Sequence, residues 1–381
     1  MTARPRVLHL TTTGWNEFEG VARAVQALAA RIPADHLLCA TEASSPGFSA
    51  TYDLGGSVMP LPWSRRLRDV LHRARPDVIH LHGGEGVAGA ALAIPSGTVP
   101  TVVSVYGRLT LPSPARPTTW VDHRRANMAL HRRVVARSAG LPMLRTALRS
   151  GRVAAVCSPD PAVVQALADT GAAFLARGAA DAAHERRANW SDRPQVVFAG
   201  RAETGRGIDD LLLAHLRARR VRPDLRLLLA LLPSPQDSRW RDLRLPGVEV
   251  RVGATEDLAG LLAGAQVAAL PFRMDATISP AFVAAEAMAV GLPVVAADVA
   301  CLRCLVSDGG NGRLVGVRRP EELAAALLDV LADEARWRAL ADGARRSIET
   351  DWSWDGAADV VQHAYHHAIA GTPYRTVRHA S

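Results

Sequence analysis

What most constrains this chain is a rhythm of short apolar runs, each followed by a helical stretch, carried through both halves. In the first half the runs are PRVLHLTTT, DHLLCAT, DVIHLHGG, TVVSVYG and GRVAAVCSP; in the second they are QVVFAG, LRLLLALL, VEVRVG, QVAALPF and LPVVAA. They show no clear two-residue alternation of apolar and polar, so they read as strands covered on both faces. Helical segments such as GVARAVQALAARI, from about Gly20, and SRRLRDVLHRARP lie between them. Strands alternating with helices predict parallel sheets, the doubly wound α/β class.

The rhythm breaks at AAHERRANWSDRP, residues 182–194, a polar stretch with a proline. A chain of 381 residues is too long for one ordinary core. The break therefore predicts two domains, 1–186 and 187–353, with closing helices near 319–333, 334–349 and 354–370. Two doubly wound domains facing each other would form a cleft at the carboxyl ends of their strands, where such sheets bind ligands.

Composition removes several function classes. The chain is 48% hydrophobic and 22% charged, a globular balance. No apolar run reaches the roughly 18 residues that a membrane span needs, and no signal-peptide core is read at the N-terminus. A cytoplasmic protein is expected. The net charge of +8 comes from arginine, crowded at Arg65, Arg66, Arg68, Arg73 and Arg75 and again from Arg124 to Arg152. Such clusters could bind nucleic acid, anionic lipid or phosphate, but no helix-turn-helix, finger or RNP-like pattern accompanies them, so solvated helix faces are the favoured reading. Nucleic acid is not an expected partner. The cysteines are Cys39, Cys157, Cys301 and Cys304. The last two have CxxC spacing, yet no second pair or nearby histidine completes a zinc site. No metal is expected.

Two places carry chemistry. In SPAFVAAEAMAVGLP, residues 279–293, Glu286 is the single carboxylate in an almost wholly apolar run. A buried, unpaired carboxylate costs several kcal/mol or shifts its pKa. Glu286 is either satisfied by nearby backbone or faces a ligand that supplies hydroxyl donors. Ser279 suits an N-cap and Pro280 the first helical turn, which would place Glu286 about two turns along. In VVFAGRAETGRGIDDLLLAH a strand ends at Ala199–Gly200, Arg201 follows, and Arg206 stands between Gly205 and Gly207 before a helix. A strand–glycine–helix turn aims backbone N–H groups at an anion, and two guanidinium groups beside it could clamp a diphosphate. Arginine after a strand is also common surface decoration.

Taken together and in order, FAGRAETGRGIDDLL, VEVRVGATEDLAGLLAGAQVAALPF, EAMAVGLPVVAADV and SDGGNGRLV resemble the donor domain of family 4 retaining glycosyltransferases of the GT-B fold, over roughly residues 195–355. EGVARAVQALA and RPDVIHLHG resemble the family more loosely. WSWDGAADVVQHAY resembles its closing segment, which implies that a helix over about 354–372 packs back on the first domain. The resemblance implies two Rossmann-like domains, the first binding the acceptor and the second a nucleotide sugar, with UDP the expected nucleotide. It implies that Arg201 and Arg206 grip the diphosphate, Arg206 standing where the family usually has lysine. Glu286 matches the family's ribose-binding glutamate, with Ser279, Pro280 and Ala281 on the same donor side. Gly253 and Leu258 fall in the segment that flanks the base. No further cofactor is implied, and transfer would proceed with retention, without a metal and without a dedicated general base.

The departures are specific. The family's sugar-contacting glutamate falls on Ile278, its glycine pair in the first loop reads Glu19–Gly20, a histidine falls on Tyr106, and Cys304 stands close to the place of another glutamate. On the acceptor side, His80 and His82 alternate along one strand. His82 either touches a sugar or is a hydrogen-bonded core histidine. Trp15, Glu17 and Glu19 in the first loop and Glu85 in a neighbouring loop suit a cationic, polyhydroxylated acceptor such as an aminocyclitol or aminosugar; solvent-facing loop charges are the plainer reading. The chain is thus also similar to glycosyltransferases of aminoglycoside antibiotic assembly. The alternatives are a membrane-docked transferase with a lipid or inositol-phosphate acceptor, an inactive GT-B partner protein, and a sugar-nucleotide epimerase. Oligomeric state is left open.

Overall fold

Strand β1 (Arg6–Thr11) is buried at five of its six residues, because both of its faces meet other elements. It belongs to a computed structural model that describes residues 4–11, 15, 20–40, 47–53, 60–84, 86–95, 99–107, 109, 130–181, 185–232, 238–253, 257–275 and 278–371. After β1 come α1 (Gly20–Ala29), β2 (Asp35–Ala40), β3 (Ala50–Asp53), α2 (Pro60–Ala74), β4 (Val78–Gly83), α3 (Val87–Ala93), β5 (Thr101–Val105), α4 (Leu130–Arg149), β6 (Ala155–Ser158), α5 (Pro161–Ala166) and β7 (Ala173–Leu175). All seven strands pair in parallel in the order β3-β2-β1-β4-β5-β6-β7.

The second series is β8 (Gln195–Arg201), α6 (Ile208–Val221), β9 (Arg226–Leu232), α7 (Ser238–Arg241), β10 (Val248–Val252), α8 (Leu258–Ala263), β11 (Val267–Leu270), α9 (Phe282–Ala289), β12 (Val294–Ala297), α10 (Ala300–Arg303), β13 (Gly312–Val315), α11 (Pro320–Val330) and α12 (Glu334–Asp351). Its six strands are also parallel, in the order β10-β9-β8-β11-β12-β13. Local signals set the helix starts: Asp333 caps α12 by accepting the Arg336 N–H at 2.8 Å, and Asp160 caps α5 by accepting that of Ala162 at 2.9 Å.

Contacts divide the chain into two units. The first runs through the described residues up to Gly178 and resumes at α13 (Trp354–Ala370); the second takes the described residues from Ala179 to Ser353. Helix α13 lies against β4 to β7 and against α1. Gly178 is required there, because a Cβ would come within 2.3 Å of the Trp354 ring. The division falls at 178/179 rather than at 186/187, where polar composition placed it. The N–H groups of Ala179 and Ala180 both donate to the Trp352 carbonyl, at 3.0 and 3.4 Å, and that of Ala188 to Val290 at 2.8 Å. The main chain thus joins the second unit before its composition turns polar.

The sheet of the first unit has two unlike faces. Leu8, Leu10, Leu37, Ile79, Leu81, Val103 and Val105 join one apolar core with Leu67 and Val70 of α2, Val87 and Ala91 of α3, and Leu144 of α4. The alternate positions carry His36, His9, His80, His82 and Ser104, all buried. Registers His9↔His80, Thr11↔His82 and His82↔Ser104 place these polar side chains on one face.

Candidate functional site

In the second unit, strand order reverses between β8 and β11, which are neighbours although five elements of chain, α6 to α8, separate them. Crossovers leave β8 toward β9 on one side and β11 toward β12 on the other. The segments after β8 and β11 therefore lie side by side at the carboxyl edge before their chains part toward opposite edges of the sheet, the place where open α/β sheets bind ligands. Their described residues are 202–207, 271–275 and 278–281.

Arg201 is the last residue of β8, paired with Leu232 of β9. A single 3-10 turn, Thr204–Arg206, follows and hands over to α6 through Gly207 at φ +73°. The Arg206 guanidinium lies over the Phe272 ring, 4.6 Å from its centroid, and its Nε is 3.7 Å from Glu203. Arg273 donates its main-chain N–H to Gly205 O at 2.8 Å. Its side chain grips Asp210, in the first turn of α6, with two bonds of 2.7 Å each. The two segments are thus bound to each other by main chain, by a paired carboxylate and by a cation–π contact.

Glu286 sits on α9, and every residue of that helix except Val283 is buried. Its exposure is 8%. A helix buried all round gains by being apolar, so this carboxylate is the polar exception on α9. The helix start differs from the sequence expectation. Ser279 is buried but is not the N-cap, and Pro280 is not in the first turn: the Ser279–Pro280 peptide is cis, and Ala281 occupies the cap position with φ −74° and ψ 100°. The Ala281 N–H donates to Cys301 O at 3.0 Å, so backbone fills the place that the serine side chain was expected to take. Glu286 therefore lies about one turn into α9 rather than two. Gly253 closes β10, at φ +151°, donating to Leu231 O at 3.0 Å. Leu258 opens α8, whose cap Asp257 accepts the Gly260 N–H at 2.7 Å and pairs with Arg186 at 2.7 Å.

On the first unit, Glu17, Glu19 and Glu85 lie outside the described residues. Trp15 is half-buried and meets Phe48 edge-on at 5.9 Å. His82 and Tyr106 are buried in a network that the strand pattern had only hinted at. His82 Nδ1 meets the Tyr106 hydroxyl at 3.2 Å and its Nε2 meets His9 Nδ1 at 3.0 Å; His9 Nε2 meets His36 Nδ1 at 2.9 Å, and His36 Nε2 meets Ile32 O at 2.8 Å. His80 meets the Tyr365 hydroxyl of α13 at 2.6 Å and Ser104 Oγ at 2.8 Å, and Ser104 bonds Tyr106. Of the two alternatives for His82, its geometry matches the core histidine.

The proton order of this chain follows from one end. A carbonyl only accepts, so His36 Nε2 carries its hydrogen and, in a neutral ring, Nδ1 accepts. Hydrogens then run from Tyr365 through His80, Ser104, Tyr106, His82, His9 and His36 to Ile32 O in a single direction. Burial holds the pKa values of His9, His80 and His82 well below the ordinary range, reinforced by neighbouring histidines. His9, His80 and His82 bring ring nitrogens within 4.8 Å of one another, the spacing of a candidate metal set. Each of those nitrogens already has a hydrogen-bond partner, and among the described residues no carboxylate joins the set to offset a buried dication. The arrangement fits a neutral hydrogen-bonded clamp on α13.

The arginine-rich segments turn out in part to be structural. Arg145 and Arg149 of α4 pair with Asp169, and Arg152 donates to the carbonyls of Leu92 and Ile94. Among the described residues, no helix is long and apolar enough to cross a membrane.

Comparison with known proteins follows the same geography. Residues 193–333 match the family model described as glycosyl transferases group 1. A D-inositol 3-phosphate glycosyltransferase of Xylanimonas cellulosilytica is 37% identical over 195 residues, 48% of this chain and 45% of that one. A glycogen synthase of Mycobacterium tuberculosis is 30% identical over 177 residues, 45% of this chain and 42% of that one. The chain thus spans less than half the length of either relative. In structure, sucrose-phosphate synthase from Thermosynechococcus elongatus matches with a TM-score of 0.69 at 18% identity, covering 96% of this chain and 100% of that one. Anabaena HepE, solved with UDP-glucose, matches with a TM-score of 0.64 at 17% identity, over 97% and 100%. Two parallel-sheet α/β units of this kind are the GT-B fold.

Proposed function

We propose that the chain is a glycosyltransferase that moves a sugar from a nucleotide-sugar donor, expected to be UDP-linked, to a small polyhydroxylated acceptor. The observation that carries this reading is the buried Glu286 on α9, beside the strand-order reversal whose other side presents Arg201 and Arg206. Ribose hydroxyls would donate to the carboxylate, and the guanidinium groups would hold the diphosphate and stabilise it as a leaving group. The family-model match over 193–333 and the likeness to an inositol-phosphate glycosyltransferase and a glycogen synthase support the same chemistry.

Transfer is proposed to retain configuration and to need no metal. The bond from the anomeric carbon to the β-phosphate oxygen breaks, the acceptor oxygen attacks on the same face, and its proton passes to the departing phosphate oxygen. Ser279, Pro280, Ala281, Gly253 and Leu258 would complete the donor side. Trp15, Glu17, Glu19 and Glu85 would bind the acceptor, with His82 and Tyr106 supporting them from within the core. Carboxylates favour a cationic acceptor, an aminocyclitol or aminosugar. A second reading, an inositol-phosphate acceptor, is favoured by the likeness to the Xylanimonas D-inositol 3-phosphate glycosyltransferase; product formation from each acceptor class separates the two.

The donor test is calorimetric. UDP should bind, and its 2′,3′-dideoxyribose analogue should bind more weakly by a factor of about ten or more, since a buried acceptor left without its donors loses about 1–3 kcal/mol. Glu286→Gln should weaken UDP and erase most of that discrimination. Equal affinities for the two ligands in the native protein would overturn the assignment of Glu286.

A further inference from the structure

We infer that Arg273 is a positioning residue of the donor site, holding Arg206 in place rather than touching the ligand. The inference rests on the donor-site reading above and deepens it. Residues 271–274 meet the Thr204–Gly207 turn at every step. The Pro271 carbonyl lies where a Cβ on Gly207 would be, 1.9 Å away, and Phe272 lies under the Arg206 guanidinium at 4.6 Å. Arg273 bonds Gly205 O through its main chain at 2.8 Å, and Met274 sulfur lies 3.1 Å from where a Gly205 Cβ would stand. One charged pair in this seam is shielded: Arg273, 13% exposed, on Asp210, 11% exposed.

The geometry explains why the residue is arginine. Nε and a terminal nitrogen each bond a different Asp210 oxygen at 2.7 Å, a two-point fork that fixes orientation as well as distance. A third nitrogen lies 4.0 Å from Asp209, which Arg239 also engages at 2.6 Å. Asp210 belongs to the first turn of α6, so the fork anchors the segment after β11 to the helix that follows the Arg206 turn. The guanidinium is committed to protein carboxylates. Its effect on an anionic ligand would pass through Arg206, whose ring contact and turn both depend on this seam.

The experiment compares UDP with uridine by titration calorimetry in the full chain. Uridine tests the base and ribose contacts; the difference between the two ligands tests the phosphate grip. Arg273→Met should weaken UDP by about tenfold or more, the scale of one lost charge-assisted contact, while uridine stays within about twofold. Arg273→Lys should not restore UDP binding, because an ammonium cannot form the fork. The double variant Arg273→Met/Asp210→Asn removes both charges, avoids a lone buried carboxylate, and should show the same selective loss.

Asp210→Asn alone separates positioning from direct contact. A positioning role predicts that UDP weakens as in Arg273→Met. A direct role would release Arg273 toward the phosphates, so unchanged or tighter UDP binding overturns the inference. So does a parallel fall of UDP and uridine in folded Arg273→Met. If the native protein binds uridine and UDP equally, the diphosphate grip itself is absent, and the donor-site reading fails before the positioning role does.

Discussion

At Gly207 the chain turns with φ +73°, and the Pro271 carbonyl occupies the space that a side chain would need. Alanine there would bear both the left-handed backbone and a clash with a main-chain oxygen. Gly207→Ala should lower stability by about 2–4 kcal/mol, seen as a shift of the urea midpoint at constant slope. Glu286 and the two arginines, the proposed donor residues, stand out in the sequence because their types are conspicuous: a lone acid in an apolar run, and guanidinium groups flanked by glycines. Arg273 does not, since an arginine after PF carries no local sign of the carboxylate it will meet 63 residues away in sequence. Ser279 was misleading. Its type suits a cap, but the Ala281 N–H found the Cys301 carbonyl, a partner that only the fold supplies.

At the level of elements, the strands stand out in sequence as apolar runs, and the alternation noted at His80 and His82 extends to their neighbours. It is present in VLHL, VIHLH and VVSVY, where every second residue faces the polar layer beneath α13. Two histidines in step along one strand, with a third on its neighbour, are the signal that could have found the network. Strands β3, β7 and β13 escaped because three or four residues, partly exposed at or near sheet edges, carry too little pattern. The clamp on α13 can be tested at its outer end. Tyr365→Phe keeps the ring in its apolar setting and removes the hydroxyl that donates to His80 Nδ1. It should cost about 1–3 kcal/mol, the penalty for a buried acceptor without its donor. A change within about 0.5 kcal/mol in urea titration would mean that this link does not hold the helix.

Across the whole molecule the buried histidines set the response to acid. His9, His36, His80 and His82 in the first unit have pKa values lowered chiefly by burial, and His215 in the second is lowered to about 4. The unfolded chain takes up protons near pH 6.5, where the folded chain does not, so the unfolded state binds more protons below that point. Stability is therefore complete above about pH 6.5 and falls as the pH drops toward the folded values. Each such histidine contributes a slope of about 1.4 kcal/mol per pH unit, so His9, His80 and His82 together approach about 4 kcal/mol per unit well below pH 6.5. Asp35 and Asp308, held low mainly by hydrogen bonds, add loss in the same direction only near pH 4 and below. Melting temperature followed from pH 7.5 to 5 should fall steadily. A flat profile would mean that the clamp tolerates charge.

The fold class, the two-unit organisation and the proposed donor residues Arg201, Arg206 and Glu286 rest on local information: strand and helix periods, turn chemistry, and charge placed where it is costly. These survive in one dimension because each is a property of a few consecutive residues. Three things waited for the tertiary structure. They are the start of α9 at Phe282, the seam that Arg273 makes with Asp210, and the single proton order from Tyr365 to Ile32. Each depends on which groups from distant segments arrive at hydrogen-bonding distance inside a core, and that is decided by packing, which no short window of sequence contains.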